Sequence, residues 1–259
     1  MDSEDLKIIS VIPARMGSSR FPGKPLAPIL GHPMIEHVYR RTAMCSALIG
    51  VYVATCDQEI FDAVSAFGGK PIMTSAEHQR ASDRVAEAVE SLEADIIVMV
   101  QGDEPMTYPE MIEQSVAPFC EGDSDIVCVN LAAKIKTEEE FEDRNTIKVV
   151  MDAEGFAVYM SREPIPTRHL QDFKQIPASK QVCIIPFTHA GLEVFTRLPP
   201  TPLEEAESID MLRFIEHGYK VKMVETSFST NAVDTPADLK NVEKLMMTDP
   251  LTRTYIKKK

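Results

Sequence analysis

Ile8-Ile9-Ser10-Val11-Ile12, running directly into Pro13-Ala14-Arg15-Met16-Gly17-Ser18-Ser19-Arg20-Phe21-Pro22-Gly23-Lys24-Pro25-Leu26, is the stretch on which the fold turns. The apolar run, broken only by Ser10, has the length and continuity of a strand buried on both faces, as strands in parallel sheets are. The glycine- and serine-bearing segment after it then falls at the carboxyl edge of the sheet, where doubly wound folds bind their ligands.

Outward from this run, apolar and helical stretches alternate. Further strands are expected at Val51–Ala54, Pro71–Met73, Ile96–Val100 and Ile126–Leu131. Helices are expected at Met34–Arg41, Gln58–Phe67, Ser82–Leu92 and Pro109–Pro118. Strand–helix alternation implies right-handed crossovers and a mostly parallel, Rossmann-like α/β sheet flanked by helices. Later, Ile147–Met151 and Phe156–Tyr159 flank Asp152-Ala153-Glu154-Gly155 and read as a hairpin. Thr201-Pro202-Leu203-Glu204 combines a cap, a first-turn proline and a third-position glutamate, predicting a helix to about His217 with Gly218 as terminator. Thr235-Pro236-Ala237-Asp238 repeats the device and starts a last helix through Leu245. Arg168–Ala178 lacks periodicity and reads as a loop or lid, and the tail from Arg253 to Lys259 as frayed.

Of the 259 residues, 44% are hydrophobic and 26% charged, and no apolar run reaches the length of a membrane span. The acidic start Met1-Asp2-Ser3-Glu4-Asp5 is unlike a signal peptide, which predicts a cytoplasmic protein with no membrane partner. Cys45, Cys56, Cys120, Cys128 and Cys183 are an odd, scattered set, so reduced thiols are expected in place of disulfides or zinc. A formal net charge of −13 opposes nonspecific binding to nucleic acid or anionic membranes. Against that background Arg15, Arg20 and Lys24 stand out as a local basic cluster suited to an anionic small molecule.

Backbone N–H groups of a glycine-bearing loop can face phosphate oxygens while arginine and lysine neutralise them. The loop is not a P-loop: Gly17 and Gly23 are one residue too far apart for GxxxxGK, and Pro25 stands where that motif has Ser or Thr. Directly after the strand Ile96–Val100 comes Gln101-Gly102-Asp103-Glu104-Pro105, and Asp234 immediately precedes the second capped helix. Taken alone, Asp103 reads as a solvated turn residue and Asp234 as an ordinary helix start. Together with the basic loop they supply what Mg²⁺ prefers, a few carboxylates plus phosphate oxygens and water. That combination suits nucleotidyl transfer, which proceeds by positioning and charge stabilisation around the α-phosphorus without a side-chain nucleophile. No Ser/His/Asp signature is present, and the six histidines have no metal-binding spacing.

Val11-Ile12-Pro13-Ala14-Arg15 and Phe21-Pro22-Gly23-Lys24-Pro25-Leu26 resemble the opening signature of the CMP-KDO synthetase (3-deoxy-manno-octulosonate cytidylyltransferase) family. The likeness continues collinearly through Val53-Ala54-Thr55, Met73-Thr74, Asp83-Arg84, Val100-Gln101-Gly102-Asp103-Glu104-Pro105 and Lys148-Val149-Val150. It goes on through Tyr159-Met160-Ser161-Arg162, Ile165-Pro166, Pro202-Leu203-Glu204 and Val233-Asp234-Thr235-Pro236.

The resemblance implies a single domain over residues 1–259. Its nucleotide-binding part would span about 1–131, an acceptor and dimerisation part about 132–225, and a metal-binding turn and helix 226–259. It implies CTP as a substrate, with Arg15 and Lys24 on the phosphates and Asp103 and Asp234 on Mg²⁺; these four are the expected catalytic residues. Pro13, Ala14, Ser82, Arg84 and Gln101 complete the CTP site, and Arg162 faces an acidic acceptor such as KDO. A homodimer through a small lobe, and a product used in lipopolysaccharide or another surface polysaccharide, are implied likewise.

The chain also departs from the family pattern. Arg80-Ala81-Ser82 replaces Ser-Gly-Thr, and Gln181-Val182-Cys183-Ile184-Ile185-Pro186-Phe187 stands where the family has His-x-Gly-x-Tyr-x-Tyr. Asp210-Met211 stands in place of Glu-Gln. Gln181, Asp210 and Met211 therefore join Arg162 as candidate acceptor residues, with altered hydrogen-bonding groups that predict an altered acceptor preference. The same CTP chemistry on a modified octulosonate, a nonulosonate or a small phosphonate is the alternative, and a nucleotide-binding protein without catalysis is another.

Overall fold

The structure, a computed structural model, describes residues 6–18, 20–122, 126–169, 172–228 and 231–256. Two compact units are present, one from Lys7–Glu113 with Thr230–Lys259 and the other from Met1–Leu6 with Gln114–Ser229.

In the first unit four parallel strands lie in the order Ile96–Val100, Ile8–Ala14, Gly50–Thr55, Pro71–Met73. Every residue of Ile8–Ala14 and Ile96–Val100 is buried, as continuous apolar runs in a covered parallel sheet should be. The first strand outlasts the expected Ile12 because Pro13 and Ala14 continue the pairing opposite Ala54 and Thr55. Helices Met34–Thr42, Gln58–Ala66 and Ala81–Val89 make the crossovers. The last long helix, Pro236–Thr248, starts with the expected capping box at Thr235 and Asp238. It packs on an apolar layer of Ile29, Met34, Met106, Val233, Val242 and Met246. The expected fraying of the tail does not hold for Thr252–Tyr255, a short helix with Thr252 buried; residues 257–259 lie outside the described set.

The second unit carries a mixed five-stranded sheet in the order Lys222–Thr226, Val129–Lys134, Ser179–Val182, Lys148–Met151, Ala157–Ser161. Only its first pair is parallel. The strand expected at Ile126–Leu131 is displaced to Val129–Lys134 and belongs to this sheet, because Cys128 is taken by an isolated bridge to Phe187. The hairpin at Asp152–Gly155 is present: Asp152 Oδ1 accepts the N–H groups of Glu154 and Phe156, and Gly155 takes the positive φ of 80°.

The helix expected from Thr201 to His217 is two helices, Pro202–Glu207 and Met211–Glu216, broken at Ser208 with φ 54° and ψ 52°. Phe187, Phe195 and Phe214 form the aromatic core of this unit. Of the expected loop Arg168–Ala178, residues 170 and 171 lie outside the described set, and Phe173–Gln175 is a single 3₁₀ turn. No helix among the described residues is long and apolar enough to cross a membrane.

Candidate nucleotide and metal site

The site of the first unit is built at the carboxyl ends of two adjacent strands. After Ala14 the chain leaves the sheet, and Asp57 Oδ2 receives the Met16 N–H at 2.7 Å, tying the loop to the end of the neighbouring strand Gly50–Thr55. The loop closes on itself when Gly23, in the left-handed region at φ 73°, donates its N–H to Met16 O at 3.1 Å. Gly23 thereby delivers Lys24 into a 3₁₀ turn, Lys24–Leu26. Ser19 lies outside the described residues.

On the adjacent strand the turn after Val100 passes very close to this loop. A Cβ on Gly102 would lie 2.8 Å from Pro13 O, so only glycine allows the approach. Asp103 follows, and its carbonyl accepts the Val233 N–H at 2.9 Å, which brings Asp234 alongside it. Lys24 Nζ then lies 2.8 Å from Asp103 Oδ2 and 3.4 Å from Asp234 Oδ1, with the lysine side chain only 13% exposed. Arg20 adds a second cation, its Nη2 2.9 Å from Asp234 Oδ1.

Thus Lys24, Asp103 and Asp234, chosen from positions far apart in sequence, converge on one point. Arg15 is exposed at the mouth of the loop. Arg84 is buried, donating to Thr74 Oγ1 at 2.6 Å and Ser75 O at 3.2 Å, so it braces the segment after the strand Pro71–Met73. Ser82 is fully buried and Gln101 partly so.

Two carboxylate oxygens facing one cation form a hard, oxygen-only donor set of the kind Mg²⁺ uses together with phosphate oxygens and water. The residues therefore fit that ion. No cluster of three or more histidine, cysteine, aspartate or glutamate side chains suited to a metal is found among the described residues.

In the second unit Arg162 reaches the helix break. Its Nε donates to Glu207 O at 2.6 Å, Nη2 to Ser208 O at 3.2 Å and Nη1 to Arg144 O at 3.0 Å. Three of its five N–H donors are thus spent on backbone carbonyls. Glu207 answers by accepting from Tyr159 Oη, Ser161 Oγ and the Arg162 N–H at 3.0, 2.7 and 2.8 Å. Burial alone would raise the Glu207 carboxyl, but these donors and the Arg162 charge hold it below the ordinary range.

Lys148, completely buried, gives its ammonium to the carbonyls of Asp143, Thr146 and Arg162 at 2.8, 2.7 and 2.5 Å. Burial lowers its pKa against the pull of Asp143, Glu163 and Glu142. Gln181 Nε2 donates to Asn130 Oδ1 at 2.6 Å. Asp210 stands at the start of helix Met211–Glu216, and Met211 is buried with its sulfur 3.6 Å from Cys128 Sγ.

Sequence reasoning overlooked Asp57, and it noted Arg20 without pairing it to Asp234. The legible signal for Asp57 was an acidic residue two positions after a strand's end, at the same sheet edge as the basic loop.

The sequence profile of the cytidylyltransferase family matches residues 9–245. A 3-deoxy-manno-octulosonate cytidylyltransferase of Geobacter metallireducens is 45% identical over 254 residues, covering 93% of this chain and 98% of the relative. An 8-amino-3,8-dideoxy-manno-octulosonate cytidylyltransferase of Shewanella piezotolerans is 41% identical over 247 residues, covering 94% and 100%. Among solved structures, that of a CMP:2-keto-3-deoxy-manno-octonic acid synthetase complexed with CTP superposes with a TM-score of 0.86 at 38% identity, over 93% of this chain and 98% of that one.

Proposed function

The chain belongs to the CMP-KDO synthetase family of cytidylyltransferases, and from that premise we propose that it transfers CMP from CTP to an acidic keto-sugar, a KDO-like 3-deoxy-octulosonate. The observation that carries this reading is the convergence of Asp103 and Asp234 on Lys24 at the end of the phosphate-type loop. In the reaction an oxygen of the acceptor attacks the α-phosphorus of CTP in line. The bond from that phosphorus to the bridging oxygen breaks, and pyrophosphate leaves.

Arg15 and Lys24 stabilise the phosphate charge, with Lys24 exchanging its carboxylate partners for phosphate oxygens as the nucleotide arrives. Asp103 and Asp234 would hold Mg²⁺, which would supply further charge neutralisation at the phosphates. Pro13, Ala14, Ser82, Arg84 and Gln101 shape the nucleotide site. Arg162, Gln181 and Asp210 are the residues assigned to the acceptor side, Arg162 with the N–H donors left beyond its three carbonyls; Met211, with no exposed surface, offers the acceptor no contact and packs behind them. A cytoplasmic homodimer belongs to the same reading.

Pyrophosphate release with CTP, Mg²⁺ and KDO tests the reading, and release with no acceptor in a panel of acidic sugars sinks it. A second acceptor, an amino-bearing octulosonate, is compatible with the Gln181 amide. Asn130 spends its own N–H groups on the carbonyls of Leu131 and Val182, so its oxygen must face Gln181 Nε2. Gln181 therefore keeps a carbonyl oxygen for a donor such as an amine or hydroxyl. Comparing KDO with its 8-amino analogue by kcat/KM decides between the two.

A further inference from the structure

Arg41, near the end of helix Met34–Thr42, is completely buried although its guanidinium is always charged. An isolated charge at such a depth is strongly unfavourable, so its partners carry information. Its Nη2 pairs with the Asp249 carboxylate and donates to Thr252 Oγ1 at 2.7 Å. Its Nε donates to Tyr255 Oη at 3.1 Å and its Nη1 reaches Thr107 O at 3.5 Å, while the rings of Tyr108 and Tyr255 lie 5.6 and 5.9 Å from its carbon. The second oxygen of Asp249 accepts the Tyr108 hydroxyl at 3.2 Å.

Thr107 and Tyr108 end the turn that presents Asp103, and Asp249 caps the far end of the helix that Asp234 precedes. The helix has 13 residues and so is a strut of about 20 Å. One end of it is hydrogen-bonded to the Asp103 turn through Val233, and the other is bonded to the same turn through Asp249 and Tyr108. The apolar layer between them includes Met34, Met106 and Met246. Methionine fills space adaptably and specifies register poorly, whereas hydrogen bonds to a charged group fix it.

We propose that Arg41, with Tyr108 and Asp249, is a positioning device that sets the separation of the two metal-holding carboxylates, Asp103 and Asp234. The proposal rests on the reading of those two residues given above.

The test uses the full chain, with Tyr108→Phe, which keeps the ring over Arg41 and loses only the hydroxyl, and with Asp249→Asn. Metal affinity is read in two ways: by the Mg²⁺ dependence of pyrophosphate release, and by Mn²⁺ binding in the presence of CTP, followed through the paramagnetic signal of free Mn²⁺. The expected result is an affinity weakened about threefold to tenfold by both measures. Turnover at saturating Mg²⁺ is expected to stay within about twofold of the parent. A folded Tyr108→Phe protein with unchanged metal affinity overturns the proposal, whatever its thermal stability, and decides the matter where Asp249→Asn does not fold. A parent protein whose turnover ignores divalent metal removes the underlying reading and the proposal together, while a metal-responsive parent isolates the proposal.

Discussion

The backbone N–H of Val233 is bonded to the backbone carbonyl of Asp103 at 2.9 Å, across 130 positions of sequence. This bond brings the next residue, Asp234, alongside Asp103, with Lys24 Nζ within reach of both carboxylates. Because both carboxylates are assigned to the metal, Asp103→Asn or Asp234→Asn should lower kcat roughly 100-fold or more. CTP binding should survive in the absence of metal, since Arg15 and Lys24 remain. Turnover within a few-fold of the parent would remove the substituted residue from the mechanism.

Gly102 offers a test of how closely the two loops must approach. Alanine there would place its Cβ 2.8 Å from Pro13 O, 3.5 Å from Ile35 and 3.6 Å from Ile12, and a backbone oxygen yields less easily than a side chain. Gly102→Ala should therefore destabilise by roughly 1–3 kcal/mol. Displacement of Asp103 should also cut turnover by about tenfold or more. Gly17→Ala is the control for stability, because its Cβ meets nothing within 4 Å. Equal behaviour of the two variants would mean that the contact at Pro13 is not limiting.

The parallel sheet was legible because its two central strands, Ile8–Ala14 and Ile96–Val100, are apolar runs buried on both faces, and such runs announce themselves in a single sequence. Pro71–Met73 and Ile96–Val100 lie where expected. The strand at Val129–Lys134 was misplaced because the apolar signal starts at Ile126, and hydropathy does not distinguish ladder residues from the bridged Cys128. The break at Ser208 was hidden for another reason: the left-handed backbone there is carried by serine, without the glycine that normally signals it. The carbonyls of Glu207 and Ser208 at the break are taken up by Arg162, a partner some 45 positions away. Long-range polar pairings of this kind, including Arg20 with Asp234 and Arg41 with Asp249, leave no local pattern.

Glu204 and Arg213 form a buried pair, at 0% and 4% side-chain exposure, with the guanidinium 4.3 Å over the Phe195 ring. Glu204 also accepts the Thr201 N–H that begins its own helix. Glu204→Gln removes the carboxylate charge that accepts two N–H groups of Arg213 in a dry site, so a loss of about 3 kcal/mol is expected in urea unfolding. The exposed pair of Glu193 and Arg197 is the comparison, and Glu193→Gln should change stability by less than about 0.5 kcal/mol. Similar losses at both sites would show that burial is not what makes the first pair matter.

His37 makes stability depend on pH in a defined window. Burial, opposed by the bond to Ile29 O and the Glu36 charge and assisted by His32 and Arg41, lowers its pKa from 6.5 to about 4. Nε2 faces the Ile29 carbonyl at 2.8 Å and must donate, so in the neutral ring Nδ1 accepts from Tyr255 Oη at 3.0 Å. Tyr255 can serve both neighbours, since its oxygen accepts from Arg41 while its proton goes to His37. The folded state thus favours the neutral ring, whereas the unfolded chain takes up a proton near pH 6.5. The resulting stability is present in full above pH 6.5 and is lost as pH falls from 6.5 towards 4. The loss is on the order of 3 kcal/mol. Urea unfolding of the parent and of His37→Gln across this range should show a steeper decline in the parent. Parallel declines would mean that other groups, and not His37, govern the acid limb.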